Sequence, residues 1–81
     1  MSDTDFLKRI EDILKDVLDL EDLAITRATS APQVEGWDSL AHINIIVAME
    51  REFSVKFALG ELEEMKNVGD MVDLLARKTG T

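Results

Sequence analysis

Apolar residues recur with the spacing of one helical face in three separate segments of this 81-residue chain. The segments run from Thr4 to Leu18, from Asp38 or Ser39 to Phe53, and from about Asn67 to Arg77 or Lys78. A period near 3.6 residues is typical of amphipathic helices. Residues 55–65 predict an extended connector followed by one or two helical turns. We therefore expect an all-α bundle of three longer helices and one short helix.

Capping residues agree with these bounds. Ser2, Asp3 or Thr4 can cap the first helix, Asp38 can cap the second, and Asn67 can cap the last. Gly80 follows the last periodic residue and is expected to end that helix, because glycine readily takes the left-handed backbone conformation found there.

Residues 19–37 have no sustained period and contain the only proline of the chain, which predicts a long loop between helices one and two. Loops of more than about 12–15 residues are uncommon in small domains and are often functional. Four apolar residues of the loop are expected to attach it to the core: Leu23, Ile25, Val34 and Trp37.

The charge balance limits the classes of partner. Seventeen acidic residues against nine basic ones give a net charge of −8, which repels nucleic acid and anionic lipid surfaces. Basic surfaces on partner proteins are favoured instead.

Size and composition predict one domain over residues 1–81, with a modest core and no room for a large enclosed active site. Cysteine is absent, which excludes disulfides and a protein thiolate as nucleophile. No apolar stretch approaches membrane-spanning length, and the acidic N-terminus has no apolar signal run. We expect a cytoplasmic protein that does not insert into membranes.

The second helix carries two apolar stripes on nearly opposite sides. One contains His42, Ile45, Ile46, Met49 and Phe53, and the other contains Leu40, Ile43 and Val47. A small bundle can fully bury only one of them. Since exposed apolar stripes often mark partner sites, the other stripe is a candidate interaction surface.

Ser39 begins the second helix, where small polar residues are common. A phosphate ester on its hydroxyl would lie beside free backbone N–H groups at the positive end of the helix dipole, which stabilises anions. A catalytic role for Ser39 is disfavoured, because the chain has one histidine and no glycine-rich turn to supply a base and an oxyanion site. Helix start and modification site are therefore the two interpretations of this residue.

The stretch GWDSLAHINIIVAMEREF, residues 36–53, resembles the segment of acyl carrier proteins in which Asp-Ser-Leu opens the second helix. The length, acidic charge and long first loop extend this resemblance over essentially the whole chain. It implies an antiparallel four-helix bundle, monomeric and without intrinsic catalysis. It also implies that a phosphopantetheinyl transferase, using coenzyme A and magnesium, attaches 4′-phosphopantetheine to Ser39, whose terminal thiol then holds acyl groups as thioesters.

The resemblance assigns roles to further residues. Asp38 is expected to orient the metal or the serine during modification, besides capping the helix. The stripe of Leu40, Ile43 and Val47 corresponds to partner-facing positions, with ordinary core packing as the alternative. The expected lining of an acyl pocket is His42, Ile46, Met49, Phe57 and Met65.

Two side chains near Ser39 have open alternatives. Trp37 is interpreted as a packing anchor of the loop or as a contact of the pantetheine arm. His42 is interpreted as a partly buried residue with a structural hydrogen bond, and a further hypothesis places it at the mouth of the acyl pocket, where it disfavours long plain alkyl chains.

The second helix departs from carriers of general fatty acid synthesis, which typically have a run of acidic residues there. Ala41, Asn44 and Arg51 interrupt that run, leaving Glu50 and Glu52. We interpret the chain as a specialised carrier serving acyl-loading and acyl-processing enzymes of lipid or secondary-metabolite biosynthesis. The alternatives are an aminoacyl or peptidyl carrier loaded by an adenylating ligase, and an unmodified helical interaction module. A calcium sensor is excluded, because no segment has the twelve-residue calcium-loop spacing.

Overall fold

The computed structural model describes residues 2–80, and within this range the regular structure is helical, without strands. Four α-helices follow one another: α1 (Asp3–Leu18), α2 (Ser39–Phe53), α3 (Leu59–Glu64) and α4 (Val68–Thr79). The predicted bundle of three longer helices and one short helix is confirmed. Its helix bounds differ by one or two residues from those expected.

The predicted caps are present at three helix starts. The Ser2 side chain accepts a hydrogen bond from the N–H of Asp5, and the Asn67 side chain accepts one from the N–H of Asp70. The Asp38 carboxylate does the same at α2. Gly80 has a φ of 80° and ends α4, as expected. Each cap satisfies an N–H or C=O group that the helix leaves unpaired.

Helices α1 and α2 pack antiparallel. The ring of Phe6, near the start of α1, lies 5.6 Å from that of Phe53 at the end of α2. Beside this contact, Arg9 Nη1 lies 2.9 Å from Glu52 Oε2. These pairings join opposite ends of the two helices.

The core collects apolar side chains from all four helices and from the first loop. Val34 and Trp37 are buried, and Leu23 and Ile25 are half-buried against the core, so the expected attachment of the loop is confirmed. The remaining buried residues are Phe6, Ile10, Leu14, Ile45, Ile46, Met49, Phe53, Met65, Val68, Met71, Val72, Leu74 and Leu75.

The long loop is also tied to the start of α4 through its backbone. Val68 N–H donates to Thr29 O, and Gly69 N–H donates to Arg27 O, both at 2.8 Å. The Arg27 side chain completes this attachment, with Nη1 at 3.0 Å from Asp3 Oδ2 and Nη2 at 2.9 Å from both carboxylate oxygens of Asp73. A short 3₁₀ turn, Ala31–Gln33, lies within what was expected to be an irregular loop. The Arg27 side chain therefore joins the loop to both α1 and α4.

The connector before α3 is held by both neighbouring helices. The Phe57 N–H donates to Glu50 Oε2 of α2 at 2.9 Å, and Lys78 Nζ of α4 lies 2.8 Å from Glu61 Oε1. The Lys78 ammonium also lies over the Phe57 ring, 5.8 Å from its centroid.

Within residues 2–80, none of the helices combines the length and the apolar character needed to cross a bilayer.

Candidate functional site

Ser39 is exposed as the first residue of α2. Just before it, Gly36 has a φ of 85°, a left-handed conformation that glycine adopts without strain, and its carbonyl accepts the N–H of Asp38 at 3.0 Å. Asp38 Oδ1 then accepts the N–H of Ala41 at 2.8 Å. This tight turn and cap fix where α2 begins and direct its first residue to solvent.

The N-terminal turn of α2 has unused hydrogen-bond donors. Asp38 occupies the N–H groups of Ala41 and His42 through its carboxylate and its carbonyl. Within residues 2–80, no acceptor pairs with the N–H of Ser39 or of Leu40. The exposed hydroxyl therefore lies where backbone donors and the helix dipole favour an attached anion.

An open cleft of about 600 Å³ adjoins the serine. It is bounded by the 3₁₀ turn of the loop on one side, by the first turns of α2 on another, and by the residue that follows α3. Its lining residues are Ala31, Pro32, Trp37, Asp38, Ser39, His42, Ile43 and Met65. A predominantly apolar cleft beside an exposed hydroxyl has room for a group attached to that hydroxyl.

Trp37 and His42 form one wall of the cleft as a stacked pair. The indole Nε1–H of Trp37 donates to His42 Nδ1 at 3.1 Å, and the two rings lie 6.0 Å apart with an angle of 22° between their planes. Because an indole nitrogen only donates, His42 Nδ1 must be unprotonated, and the neutral ring carries its hydrogen on Nε2. Partial burial lowers the pKa of His42 and so favours this neutral form.

The two stripes of α2 have opposite environments. Ile45, Ile46, Met49 and Phe53 belong to the core, whereas Leu40, Ile43 and Val47 are 70%, 60% and 42% exposed. The exposed stripe begins next to Ser39 and follows α2 toward its C-terminal end. Its apolar side chains are available for contact with other molecules.

The residues expected to line an acyl pocket are only partly brought together. His42 and Met65 lie in the cleft with Ser39. Ile46 and Met49 are instead packed in the core, on the buried side of α2. Phe57 is half-buried beside Lys78 and does not line the cleft.

Sequence reasoning did not assign Ala31 and Pro32 to the site. One signal was present in the sequence, because Pro32 is the only proline of the chain and lies inside the long loop. The sequence does not show, however, that the 3₁₀ turn places Pro32 in the cleft beside α2.

Comparisons with known proteins identify the family of the chain. The sequence profile of a family described as "Phosphopantetheine attachment site" matches residues 8–75, most of the chain. An acyl carrier protein of Caulobacter vibrioides is 30% identical over 76 residues, which covers 94% of this chain and 97% of that protein. The chain belongs to the acyl carrier protein family. An acyl carrier protein of Porphyromonas gingivalis is likewise 30% identical, over 86% of this chain and 90% of its own.

A solved structure extends the similarity to the fold. The solution structure of a holo acyl carrier protein from Geobacter metallireducens superposes with a TM-score of 0.86 at 44% sequence identity, covering 93% of this chain and 86% of that one. The arrangement of helices described above is thus that of a carrier protein.

Membership of the acyl carrier protein family defines the general activity. The chain is a carrier without intrinsic catalysis, with 4′-phosphopantetheine as its prosthetic group, and it interacts with biosynthetic enzymes and a phosphopantetheinyl transferase. The exposed serine, the free N–H groups and the open cleft fit such a group, whose terminal thiol supplies the thioester linkage. At this helix end, free N–H groups would stabilise the phosphate of such a group, and the cleft would accommodate its arm.

Proposed function

We propose that Ser39 is the residue to which 4′-phosphopantetheine is attached. The observation that supports this most is the exposure of its hydroxyl at the first position of α2, within the cleft bounded by Trp37, His42 and Met65. The two unpaired backbone N–H groups at this helix end would stabilise the phosphodiester. The other serines lie outside this cleft.

Intact-protein mass tests this assignment. The protein is incubated with coenzyme A, magnesium and a broad-specificity phosphopantetheinyl transferase, alongside Ser39→Ala and Ser54→Gly. Ser54→Gly is a matched control, because Ser54 is an exposed serine at the other end of α2 with a φ of 55° that glycine accepts. We expect one phosphopantetheinyl group on the wild type and on Ser54→Gly, and none on Ser39→Ala. Modification of Ser39→Ala would overturn the assignment.

We further propose that Asp38 orients the metal or the serine during this modification. We also propose that the exposed stripe of Leu40, Ile43 and Val47 contacts the partner enzymes. The stripe is adjacent to Ser39 and exposed, so an enzyme acting on the arm would meet it. The net charge of −8 favours partners that carry basic patches for the long-range part of the encounter. We also propose that the protein is a monomer with one carrier domain, that it is cytoplasmic and that it does not bind nucleic acid.

The cargo is proposed to be a specialised acyl group of lipid or secondary-metabolite biosynthesis. The neutral and basic residues Ala41, Asn44 and Arg51 on α2 support a dedicated set of enzymes. An aminoacyl cargo loaded by an adenylating ligase is the alternative. Thioester formation with each cargo class, followed by mass spectrometry of the holo protein, distinguishes the two. The family match argues against the unmodified interaction module.

His42 is proposed to select against long plain alkyl chains at the mouth of the acyl pocket. Its ring is polar and lines an otherwise mainly apolar cleft, so an alkyl chain passing it would bury a polar group without offering it a hydrogen bond. We expect His42→Ala to increase burial of a long saturated acyl chain, seen as more nuclear Overhauser contacts between that chain and core methyl groups. Unchanged contacts would contradict the role.

A further inference from the structure

The two acidic side chains of α2 both have partners within the molecule. Glu50 Oε2 accepts the backbone N–H of Phe57 at 2.9 Å, and Glu52 Oε2 lies 2.9 Å from Arg9 Nη1. A partner's basic group approaching α2 would therefore have to share these carboxylates with existing contacts. Each acidic side chain of this helix already has an intramolecular partner.

Two basic side chains at the C-terminal end of α2, by contrast, have no ion-pair partner within residues 2–80. Arg51 and Lys56 are exposed, and neither has an ion pair within the described residues 2–80. Both line an open groove of about 510 Å³ between the end of α2 and the connector to α3, together with Val47, Glu50, Ser54 and Val55. Two free cations thus face one carboxylate that is already hydrogen-bonded.

The groove is continuous with the exposed apolar stripe through Val47, which belongs to both. An apolar centre bordered by arginine is a common composition of protein interfaces. Arg51 also lies in the last turn of α2, where its charge suits the helix dipole, but that interaction leaves its guanidinium donors free. The side chains of the groove at this helix end therefore offer donors and positive charge.

Local and overall charge act at different distances. The net charge of −8 influences the approach of a partner, but in physiological salt its effect is screened beyond about 8 Å. Once two surfaces touch, the charges at the contact decide which side chains pair. At the groove, those charges are the free cations.

We propose that the groove at the C-terminal end of α2 docks a partner enzyme that presents an acidic side chain among apolar ones. The apolar residues of the partner would cover Val47 and Val55, and its carboxylate would pair with Arg51 and Lys56. This inference rests on the proposed carrier function and specifies one contact of its partner surface, which is opposite in sign to the basic patches that the net charge favours at a distance.

Two designed helical peptides with the same leucine face test the proposal, one with glutamate and one with lysine beside that face. Each is titrated into ¹⁵N-labelled holo protein, and the affinity is taken from amide shifts at Val47, Arg51, Ser54 and Lys56. We expect the glutamate peptide to bind this groove more tightly than the lysine peptide. Arg51→Glu/Lys56→Glu should weaken glutamate-peptide binding by about tenfold, because two attractive pairs become repulsive.

Lys8→Glu/Lys66→Glu is the matched control, since both lysines are exposed, form no ion pair within residues 2–80 and give the same net charge. An equal loss of affinity in this control would overturn the proposal. So would tighter binding of the lysine peptide at the groove, absence of groove shifts with both peptides, or concentration-dependent shifts of the same amides without peptide, which would indicate contact between copies of the chain. Attachment at Ser39 is measured separately by intact-protein mass, and failure of modification would contradict the carrier proposal. In that case the same peptide titrations on the unmodified protein would still test binding at the groove.

Discussion

Gly69 shows how a single missing methyl group allows the long loop to reach α4. A Cβ atom at this position would lie 2.9 Å from Arg27 O, a backbone atom that already accepts the Gly69 N–H. Glycine inside a helix normally costs stability relative to alanine. Here the close approach of the loop backbone reverses that preference.

We expect Gly69→Ala to lower the free energy of unfolding by about 1–3 kcal/mol, because the loop must move away from α4. Gly60→Ala is the control, since Gly60 lies in α3, where an added Cβ atom would meet no atom of residues 2–80 within 4 Å apart from its own chain neighbours and helix backbone. That substitution should stabilise by up to about 1 kcal/mol through helix propensity alone. Urea denaturation measures both, and stabilisation by Gly69→Ala would contradict the packing seen here.

The Trp37–His42 pair predicts a pH dependence of stability. Burial lowers the pKa of His42 below its ordinary value of about 6.5, so the unfolded chain binds the proton more readily. Stability contributed by the neutral ring is therefore present above about pH 6.5 and is lost as pH falls through the lowered value of the folded state. Protonation of Nδ1 would also break the bond from the indole.

Urea denaturation at about pH 7.5 and about pH 5.5, above the range in which ordinary carboxylates titrate, measures this loss. His42→Asn removes the titration and should reduce the difference between the two pH values. An equal difference in the wild type and His42→Asn would show that other groups are responsible.

At the scale of the helix, Asp38 caps α2 and has a second, proposed role in modification, and substitution can separate the two. Asp38→Ala removes the cap on the Ala41 N–H and should cost about 1 kcal/mol. Asp38→Asn keeps an oxygen acceptor and should leave stability nearly unchanged, while removing the charge proposed to orient the metal or the serine. We expect both variants to be modified more slowly at Ser39.

Initial rates of phosphopantetheine attachment and urea midpoints, measured on the same samples, distinguish the tasks. A normal modification rate in Asp38→Asn would restrict Asp38 to capping. The exposed stripe is untouched in both variants, so a changed rate would not reflect a loss of apolar contact.

The helices could be predicted because their signals are local. Periodic apolar residues and the caps at Ser2, Asp38 and Asn67 lie within a few residues of the structure they specify. The contacts made by Arg27 with Asp3 and Asp73 could not be predicted, because they join residues 24 and 46 positions apart. The same applies to Ala31 and Pro32 in the cleft, which reach α2 only through the 3₁₀ turn.

At the scale of the whole molecule, negative charge exceeds positive charge by eight. Repulsion among exposed carboxylates opposes the compact state, whereas the exposed ion pairs each contribute little. We expect raising sodium chloride from about 20 mM to about 300 mM to increase the urea midpoint, since screening weakens the many repulsions more than the few attractions. A decrease would show that pairs such as Arg27 with Asp73 dominate.

Trp37 is the only tryptophan of a chain that has no tyrosine, and its ring stacks on His42 beside Ser39. Excitation near the red edge of protein absorbance therefore yields emission from one position, with no background from elsewhere in the fold. The carrier has a built-in optical probe at the cleft. If the arm is attached at Ser39 as proposed, we expect its attachment and the loading of a cargo to change this emission, which can be followed in real time on the unlabelled protein.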